Sequence, residues 1–404
     1  MKKIIALALV LVMVLGMFAG CGKKAEKMTL KVWGPNEDQA TAESFLPVAC
    51  AKFNEAHPEW DIEFVFEVCA EGDAGTMVTK DPSAAGDVYM FANDQLGTLM
   101  QANAIARLGG AALDQVKADN SETMVASVTS GDGVYGVPFT GNTWFMYYDA
   151  SVYTAEDIKS LDAMMAKKPV AFEVTNAWYL PAFYFAAGGT MFGENGTDGA
   201  AGVTFGGEVG AAATTYIANA LAAGTLIEAG GGAGMDALRN GTVGAVFSGT
   251  WDAANVKDAL GDNYAAAQLP CITLNGAEKQ LLSFSGSKAF AVNPNSQHME
   301  AAVALAAWLG SAEMQELHFD LRNGEVIPCA SALLSNEKFA ANPAAVAQND
   351  TIANTSFLQP SIPEMGAYWG PGADMGKALV NGEVTADNAA EMADAWNASL
   401  NGGL

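Results

Sequence analysis

One extended segment constrains the fold more than any other part of the chain: Tyr135-Gly-Val-Pro-Phe-Thr-Gly-Asn-Thr-Trp-Phe-Met-Tyr-Tyr-Asp149. In its first half, Pro138 cannot donate to a sheet ladder and Gly141 interrupts the side-chain pattern. Its second half contains Trp144–Tyr148, a continuous apolar and aromatic run that is typical of a strand buried on both faces. Asn142 lies between the two halves. The pattern predicts either one strand with a bulge or a strand that crosses from one lobe to another.

The length of the chain favours a crossing strand, because 404 residues are more than one hydrophobic core usually serves. Half of the residues are hydrophobic, so a large core can be buried. The N-terminal part shows strand and helix patterns in β-α-β-α-β order, which is typical of a parallel sheet wrapped by helices. These segments are Thr29–Trp33, Ala40–Ala56, Asp61–Val68, Asp87–Phe91 and Asn93–Ala104.

Candidate ligand contacts follow from the ends of these strands. Ligands of open α/β sheets bind outside the carboxyl ends of the strands. Trp33, Glu37, Phe91 and Asp94 stand at or just after strand ends in the sequence. The strand pattern therefore predicts that these four residues lie near a bound ligand.

The N-terminus has the pattern of a targeting segment. Lys2-Lys3 is basic, Ile4–Met17 is apolar, and small residues precede Cys21. The apolar run is short for a membrane-spanning helix and resembles a bacterial lipoprotein signal. This resemblance implies that residues 1–20 are removed, that Cys21 is lipidated, and that residues 21–28 form a tether. An uncleaved anchor is the alternative, and both place the chain on the outer face of the bacterial cell membrane.

The charge excludes two classes of partner. Without Lys2 and Lys3 of the signal, 18 of the 20 Lys and Arg residues remain against 45 Asp and Glu, which is a balance of −27. Nucleic acids and anionic lipids bind by charge to basic patches, which so acidic a chain lacks overall. We therefore expect a partner of another class, although a local basic pocket can still bind an anion.

The sequence shows no motif for catalysis, a metal or a cofactor. It contains no H-E-x-x-H, no G-x-S-x-G and no Walker loop. His57, His298 and His318 lack metal-ligand spacing, and we expect them at the surface or at helix ends. Acidic residues are so numerous that spacing alone does not separate a glycosidase pair from chance. The prediction is a protein that binds rather than one that reacts.

Four further cysteines leave their redox state open. Cys50, Cys69, Cys271 and Cys329 have no C-x-x-C spacing. An exported chain can form disulfides, but the pairing does not follow from spacing. Disulfides and buried free thiols are both compatible with the sequence.

Aromatic residues gather where the predicted elements end. They stand beside the polar residues Asp38, Asp94, Asn176 and Asp252. An aromatic ring face can stack on the apolar C–H groups of a sugar, while carboxylates and amides bind its hydroxyl groups. Core packing is the alternative for each ring taken singly. The aromatic residues concerned are Trp33, Phe91, Trp178, Tyr179, Trp251, Tyr368 and Trp369.

These residues occur within motifs of a known family. Pro360-Ser-Ile-Pro-Glu-Met-Gly-Ala-Tyr-Trp369 resembles the IPxMxxxW segment of the maltose/maltodextrin-binding proteins of ABC transporters. Other segments match in the same order, so the resemblance covers nearly the whole chain after the signal. They include Leu30–Trp33, Gly86–Asp94, Tyr135–Pro138 and Asn240–Trp251.

The resemblance implies an α/β fold of the type II periplasmic-binding-protein kind. Two lobes, each a sheet flanked by helices, are then joined by crossing hinge strands. The implied boundaries are 29–140 with 287–322 for the first lobe, and 141–286 with 323–404 for the second. The implied function is to capture maltodextrin-type oligosaccharides between the lobes and deliver them to ABC permease subunits, as a monomer.

The resemblance also implies which residues contact the sugar. The acid positions of the family fall on Glu37 and Asp94, whereas Asp38 replaces a lysine, and Asn142 and Asn176 replace glutamates. Gln95 replaces an arginine, and Ala253 replaces a second tryptophan. The aromatic positions of the family fall on Trp33, Phe91, Trp178, Trp251 and Trp369, with Tyr368 beside the last.

Three alternatives remain open at this point. The replacements at Asp38, Asn142 and Asn176 favour a different oligosaccharide or another polar solute bound by the same fold. An extracytoplasmic glycosidase would require two opposed carboxylates in the cleft and turnover of the sugar. A surface adhesin or sensor would bind a glycan without a permease.

Overall fold

Two β-sheets form the framework of the protein. The structure is a computed structural model that describes residues 25–402, so the predicted signal peptide and Cys21 lie outside the described residues. The strands are β1 Glu26–Gly34, β2 Trp60–Val68, β3 Val88–Ala92, β4 Thr129–Ser130, β5 Gly133–Val134, β6 Val137–Thr143, β7 Phe145–Asp149, β8 Val170–Phe172, β9 Leu226–Glu228, β10 Ala245–Ser248, β11 Tyr264–Ala267, β12 Cys271–Leu274, β13 Ala277–Gln280, β14 Ser283–Val292 and β15 Ser356–Leu358.

Helices cover both sheets. The main ones are Phe45–Ala56, Ala74–Lys80, Leu96–Gln101, Gly110–Asp119, Glu122–Ser127, Leu161–Lys167, Pro181–Ala186, Gly207–Ala222, Ala233–Arg239, Ala253–Leu260, Met299–Leu309, Ala312–Leu321, Ser331–Leu334, Glu337–Ala340, Pro343–Asn354, Trp369–Val380 and Ala389–Asn401. Short 3-10 turns follow several strands, among them Asn36–Asp38 after β1, Asn93–Gln95 after β3 and Thr250–Asp252 after β10.

The first sheet forms the centre of lobe 1. Its order is β15-β14-β3-β1-β2, and β6 pairs with β14. Strand β1 runs parallel to β2 and β3, as the β-α-β-α-β pattern predicts. Apolar side chains from these strands and from the helices Phe45–Ala56 and Met299–Leu309 form one core.

The second sheet forms the centre of lobe 2. Its order is β11-β7-β10-β8-β9. A separate aromatic core covers it, in which Trp144 stacks on Tyr179 and meets Phe172 edge to face. Two sheets, each packed against its own apolar residues, confirm the predicted two-lobed α/β fold.

The extended segment around Gly141 crosses between the lobes. Strand β6 pairs with β14 in lobe 1, and after Trp144 the chain continues as β7, which pairs with β10 and β11 in lobe 2. Strand β14 runs antiparallel beside it, with Ser285 opposite Thr143 and Gly286 opposite Asn142. The crossing interpretation is confirmed, and a register shift at Lys288 adds a bulge to the same ladder.

Small hydroxyl side chains form hydrogen-bonded pairs at the crossing strands, one between β6 and β14 and one between β14 and the helix Glu122–Ser127. The Thr143 hydroxyl lies 2.8 Å from that of Ser283, and the Ser287 hydroxyl lies 2.6 Å from that of Ser127. These hydroxyl groups are buried, so each pair satisfies polar atoms that would otherwise be costly. Small side chains at the crossing leave room for the backbone to bend.

The structure departs from the predicted boundaries at four places. Residues 26–28, expected in the tether, belong to β1. Residues 141–143, residues 283–286 and strand β15, expected in lobe 2, pair within the sheet of lobe 1. The reason is that crossing strands pair with one lobe and pack against both, so a boundary drawn between residues divides them arbitrarily.

Two further features of residues 25–402 bear on the expectations. Cys50, Cys69, Cys271 and Cys329 are separate free thiols. None of the helices in the described range combines the length and the apolar character that crossing a membrane requires.

Candidate functional site

A cavity of about 280 Å³ opens between the lobes at the crossing strands. Lobe 1, the crossing strands and lobe 2 all contribute to its wall. Four of the predicted contacts line this one cavity: Glu37, Asp38, Asn142 and Trp251. The other residues that matter for its chemistry are Glu71, Thr250, Lys288, His318, Arg322 and Glu325.

On the lobe 2 side, Trp251 presents an open ring face. It belongs to the turn that follows β10, and 48% of its surface is exposed, which is unusual for so large an apolar side chain. Its ring lies against Gly249, where an added Cβ would stand 2.1 Å from a ring carbon. The Trp178 ring lies 5.9 Å away, and its Nε1 donates to Gln359 Oε1 at 2.7 Å. Trp251 therefore lines the cavity, and Trp178 lies beside it without lining the cavity.

On the lobe 1 side, one short turn carries two acidic residues, one exposed and one buried. The turn Asn36–Asp38 follows β1, with Glu37 exposed and Asp38 only 1% exposed. Asp38 Oδ1 accepts hydrogen bonds from His318 Nε2 and Arg322 Nη1, each at 2.9 Å. Burial alone raises the pKa of Asp38, but His318 and Arg322 outweigh it and hold the pKa below its usual value. Asp38 therefore anchors the turn that carries Glu37.

His318 occupies one of the two places expected for it, the end of a helix. It lies in the last turn of the helix Ala312–Leu321 and is almost fully buried, not at the surface. Its ring lies 4.7 Å from that of Phe45 and 4.6 Å from that of Phe139. A histidine tolerates this apolar position because Asp38 pairs with one of its ring nitrogens.

A second ion pair lies at the floor of the cavity. Lys288 Nζ on β14 lies 3.2 Å from Glu71 Oε1, which follows β2. Both side chains are less than half exposed, so neither charge is fully solvated. This pair brings an ammonium and a carboxylate to the crossing strands, where each can meet a sugar hydroxyl.

Asp94 lies at the carboxyl end of β3, as predicted. It is half-buried in the turn Asn93–Gln95, and Gln95 Nε2 donates to its Oδ2 at 2.7 Å. Burial raises the pKa of Asp94 to about 6. Its charge therefore changes close to neutral pH.

Three predicted aromatic contacts lie in the cores instead. Trp33 and Phe91 are buried in the core of lobe 1, at the carboxyl ends of the inner strands β1 and β3. Tyr368 is buried in the core of lobe 2, where its hydroxyl donates to the Ala177 carbonyl at 2.9 Å. Their ring faces are occupied by packing, so they support the lobes rather than present a surface to a ligand.

Two other predicted contacts lie at the edge of lobe 2. Asn176 uses both side-chain groups internally: Nδ2 donates to Glu173 Oε2 at 2.7 Å, and Oδ1 accepts from the Trp178 backbone N–H at 2.9 Å. Asn176 therefore positions the backbone of Trp178, and its side-chain amide is already hydrogen-bonded within lobe 2. Trp369 is partly buried, with its ring 6.3 Å from that of Phe284 on β14.

Sequence reasoning missed several residues of the cavity. Glu71, Lys288, Arg322 and Glu325 line it, although none belongs to a recognisable motif. They come from three separate segments of the chain, and only the tertiary fold brings them together. The position of Lys288 on a crossing strand is the one signal that could have indicated it.

The comparisons with known proteins agree with this geometry. Residues 48–347 match the family of bacterial extracellular solute-binding proteins. A maltooligosaccharide ABC transporter solute-binding lipoprotein of Streptococcus pneumoniae is 26% identical over 329 residues, which cover 75% of this chain and 74% of that protein. The maltodextrin-binding protein MdxE of Bacillus subtilis is 27% identical over 318 residues, which cover 70% of each chain.

Solved structures are similar over almost the full length. One, solved with acarbose, is 45% identical with a TM-score of 0.87, and the match covers 93% of this chain and 99% of that one. A maltodextrin-binding protein of L. casei without ligand is 27% identical with a TM-score of 0.84 at the same coverage. The family consists of solute-binding proteins, which confirms the prediction of a binding protein rather than an enzyme. The chain belongs to the bacterial extracellular solute-binding proteins.

Proposed function

We propose that this protein captures maltose- and maltodextrin-type oligosaccharides in the cleft between its lobes and delivers them to an ABC permease. The observation that carries the proposal is the exposed ring of Trp251, which lines one cavity together with the acids of lobe 1 and has the Trp178 ring 5.9 Å away. A sugar ring has apolar faces and a polar rim, so it matches such a cleft. The names of the relatives support the same class of ligand.

The proposed binding residues divide into contacts and supports. Trp251, Trp178, Glu37 and Asn142 contact the sugar, with Asp94 at the end of β3 and Trp369 at the rim. Asp38 and Asn176 position Glu37 and Trp178 through the hydrogen bonds described above. Three buried aromatic residues stabilise the cores of the two lobes: Trp33, Phe91 and Tyr368.

The proposed location is the outer face of the bacterial cell membrane. The family is extracellular, and the related protein of Streptococcus pneumoniae is named a lipoprotein. A lipid on Cys21, after removal of residues 1–20, would hold the monomer beside its permease. Replacement of Cys21 by serine should release the protein into the medium, and retention of that variant on cells would contradict the lipid anchor.

Calorimetric titration of the soluble form that starts after Cys21 tests the ligand. Maltose, maltotriose and longer maltodextrins are titrated beside cellobiose, a β-linked control of equal size. Saturable binding of the α-linked sugars, with no smaller product released, supports the proposal. Binding of another sugar alone would keep the fold and change the ligand, and release of glucose would indicate a glycosidase.

A related ligand class has its own support. The structure that is 45% identical was solved with acarbose, an α-glucan analogue whose chain contains a secondary amine. In this protein Glu37 exposes a carboxylate at the cavity, and a carboxylate attracts a protonated amine. Acarbose belongs in the same titration, where a Glu37→Gln variant should lose more affinity for acarbose than for maltotetraose.

A further inference from the structure

The indole N–H of Trp178 donates to a side chain. Its Nε1 lies 2.7 Å from Oε1 of Gln359, a residue 181 positions away in the sequence. The other indole N–H groups that form hydrogen bonds within residues 25–402 donate to backbone carbonyls, Trp144 to that of Trp178 and Trp308 to that of Ala49. One substitution can remove a side-chain acceptor, so the orientation of the Trp178 ring depends on the residue at position 359.

Gln359 is itself held from two sides. It follows β15 directly, and its backbone N–H donates to the Ser285 carbonyl of β14 at 2.9 Å. Phe357 of β15 stacks on Phe185 of lobe 2, with ring centroids 4.6 Å apart. Only 4% of Gln359 is exposed. Backbone pairing and packing therefore fix the amide that accepts from Trp178.

The backbone of Trp178 is held separately from its ring. Its N–H donates to Asn176 Oδ1 at 2.9 Å, and its carbonyl accepts from Trp144 Nε1 at 3.4 Å. Rotation about the side-chain bonds of Trp178 leaves both contacts in place, so neither determines where the indole points. The hydrogen bond to Gln359 is the polar contact that directs the ring, which lies 5.9 Å from that of Trp251.

We infer that Gln359 is a positioning residue of the sugar site, which holds the Trp178 ring beside Trp251. The inference rests on the proposed function, in which Trp178 contacts the ligand. Gln359 does not line the cavity of that site, so it acts through the indole. Because β15 pairs with β14 in the sheet of lobe 1, the hydrogen bond ties an aromatic contact of lobe 2 to the crossing strands.

Calorimetry with maltotriose tests this role through substitutions of Gln359. Gln359→Met keeps the length of the side chain and removes the oxygen acceptor, and Gln359→Leu is a second such variant. Each should bind maltotriose about fivefold more weakly, the size of one lost hydrogen bond of ordinary strength. Gln359→Glu keeps an oxygen that accepts from the indole N–H, so its affinity should stay within about twofold of the wild-type value.

A double-mutant cycle with Trp178→Phe separates positioning from general damage. Phenylalanine has no N–H, so Gln359→Met should cost no further affinity when position 178 is phenylalanine. Trp178→Phe also assigns the indole N–H signal of Trp178 in the NMR spectrum of protein labelled with ¹⁵N-tryptophan. That proton signal should move upfield in Gln359→Met, where its hydrogen bond is lost, and should stay near its wild-type position in Gln359→Glu.

Ser356→Ala is the matched control on the same segment. Ser356 lies on β15, and its hydroxyl lies 2.8 Å from that of Ser285. The substitution removes a hydrogen bond of the crossing strands and leaves Gln359 and Trp178 unchanged. Ser356→Ala should bind maltotriose as the wild-type protein does, with the Trp178 signal in its wild-type position.

Each outcome decides the inference. Wild-type affinity in Gln359→Met and Gln359→Leu would overturn it, as would an unmoved Trp178 signal or an equal loss of affinity with tryptophan and phenylalanine at position 178. In these cases normal binding of maltotriose by the wild-type protein would leave the proposed function standing. If the wild-type protein binds no α-linked sugar, the proposed function itself fails, and the inference fails with it.

Discussion

Trp251 is the residue on which sugar binding should depend most directly. Removal of its ring in Trp251→Ala should cost about 1 kcal/mol or more of binding free energy to maltotriose, as lost aromatic contacts usually do. The folded state should keep its stability, because almost half of this side chain is already exposed. Trp251→Phe, which keeps a ring face, should retain most of the affinity. Equal affinity of Trp251→Ala and the wild-type protein in calorimetry would remove Trp251 from the site.

Asp94 should make sugar binding depend on pH. Its pKa is raised to about 6 by burial, so the carboxylate is protonated as the pH falls below that value. A protonated acid accepts hydroxyl hydrogen bonds less well, so affinity for maltotriose should fall between pH 7 and pH 5. In Asp94→Asn that dependence should disappear. An identical pH profile in both proteins would mean that Asp94 does not meet the sugar.

Asp38 should make the folding stability depend on pH. Its folded-state pKa lies below the value of about 3.9 that the unfolded chain has. Its contribution to stability is therefore present above about pH 4 and is lost as the pH falls through the folded-state pKa. Asp38→Asn should lower the free energy of unfolding at pH 7 by about 3 kcal/mol, because Arg322 and His318 lose a buried partner.

Urea unfolding at pH 7 and at pH 3 measures this difference. The gap between Asp38→Asn and the wild-type protein should shrink at pH 3, where the wild-type carboxyl is itself becoming protonated. A gap of the same size at both pH values would show that packing, rather than charge, explains the loss.

At the scale of elements, the crossing strands have a close contact that only glycine permits. A Cβ on Gly286 of β14 would stand 2.0 Å from Oδ1 of Asn93, which is buried in the turn after β3. Gly286→Ala should therefore lower the free energy of unfolding by about 1–3 kcal/mol, the usual cost of overpacking. The double variant Gly286→Ala with Asn93→Ala should recover most of that loss.

Chemical denaturation of the four proteins in this mutant cycle gives the coupling between the two positions. Gly366→Ala is a suitable control, since a Cβ there meets nothing within 4 Å. Additive losses from Gly286→Ala and Asn93→Ala would contradict a direct clash at the crossing.

At the scale of the whole molecule, sugar binding should close the two lobes. The cavity is lined by both lobes and by the crossing strands, so a ligand that touches both walls favours the closed arrangement. Small-angle X-ray scattering should show a smaller radius of gyration with saturating maltotriose than without sugar. Cellobiose at the same concentration should leave the radius unchanged. No change with maltotriose would indicate a cleft that does not move.

Local patterns in the sequence determined much of this architecture. The alternation in β1 and β2 predicts their strands, because side chains of a strand point to opposite faces with a period of two. Pro138 and Gly141 interrupt the strand pattern before the apolar run Trp144–Tyr148, and this combination favours a crossing between lobes. Trp251 follows β10 and is exposed, as its motif implied. Each of these depends on neighbours in sequence, so it could be predicted without the fold.

The tertiary structure alone decided which side chains share the cleft. Asp38 and His318 are 280 positions apart, and no periodicity connects them. Lys288 meets Glu71 only because β14 lies in the same sheet as β2, and Trp33 and Phe91 are buried only because the core of lobe 1 packs over their rings. Burial and charge pairing are properties of the packed lobes, which is why the sequence indicates a sugar cleft while the fold assigns its contacts and supports.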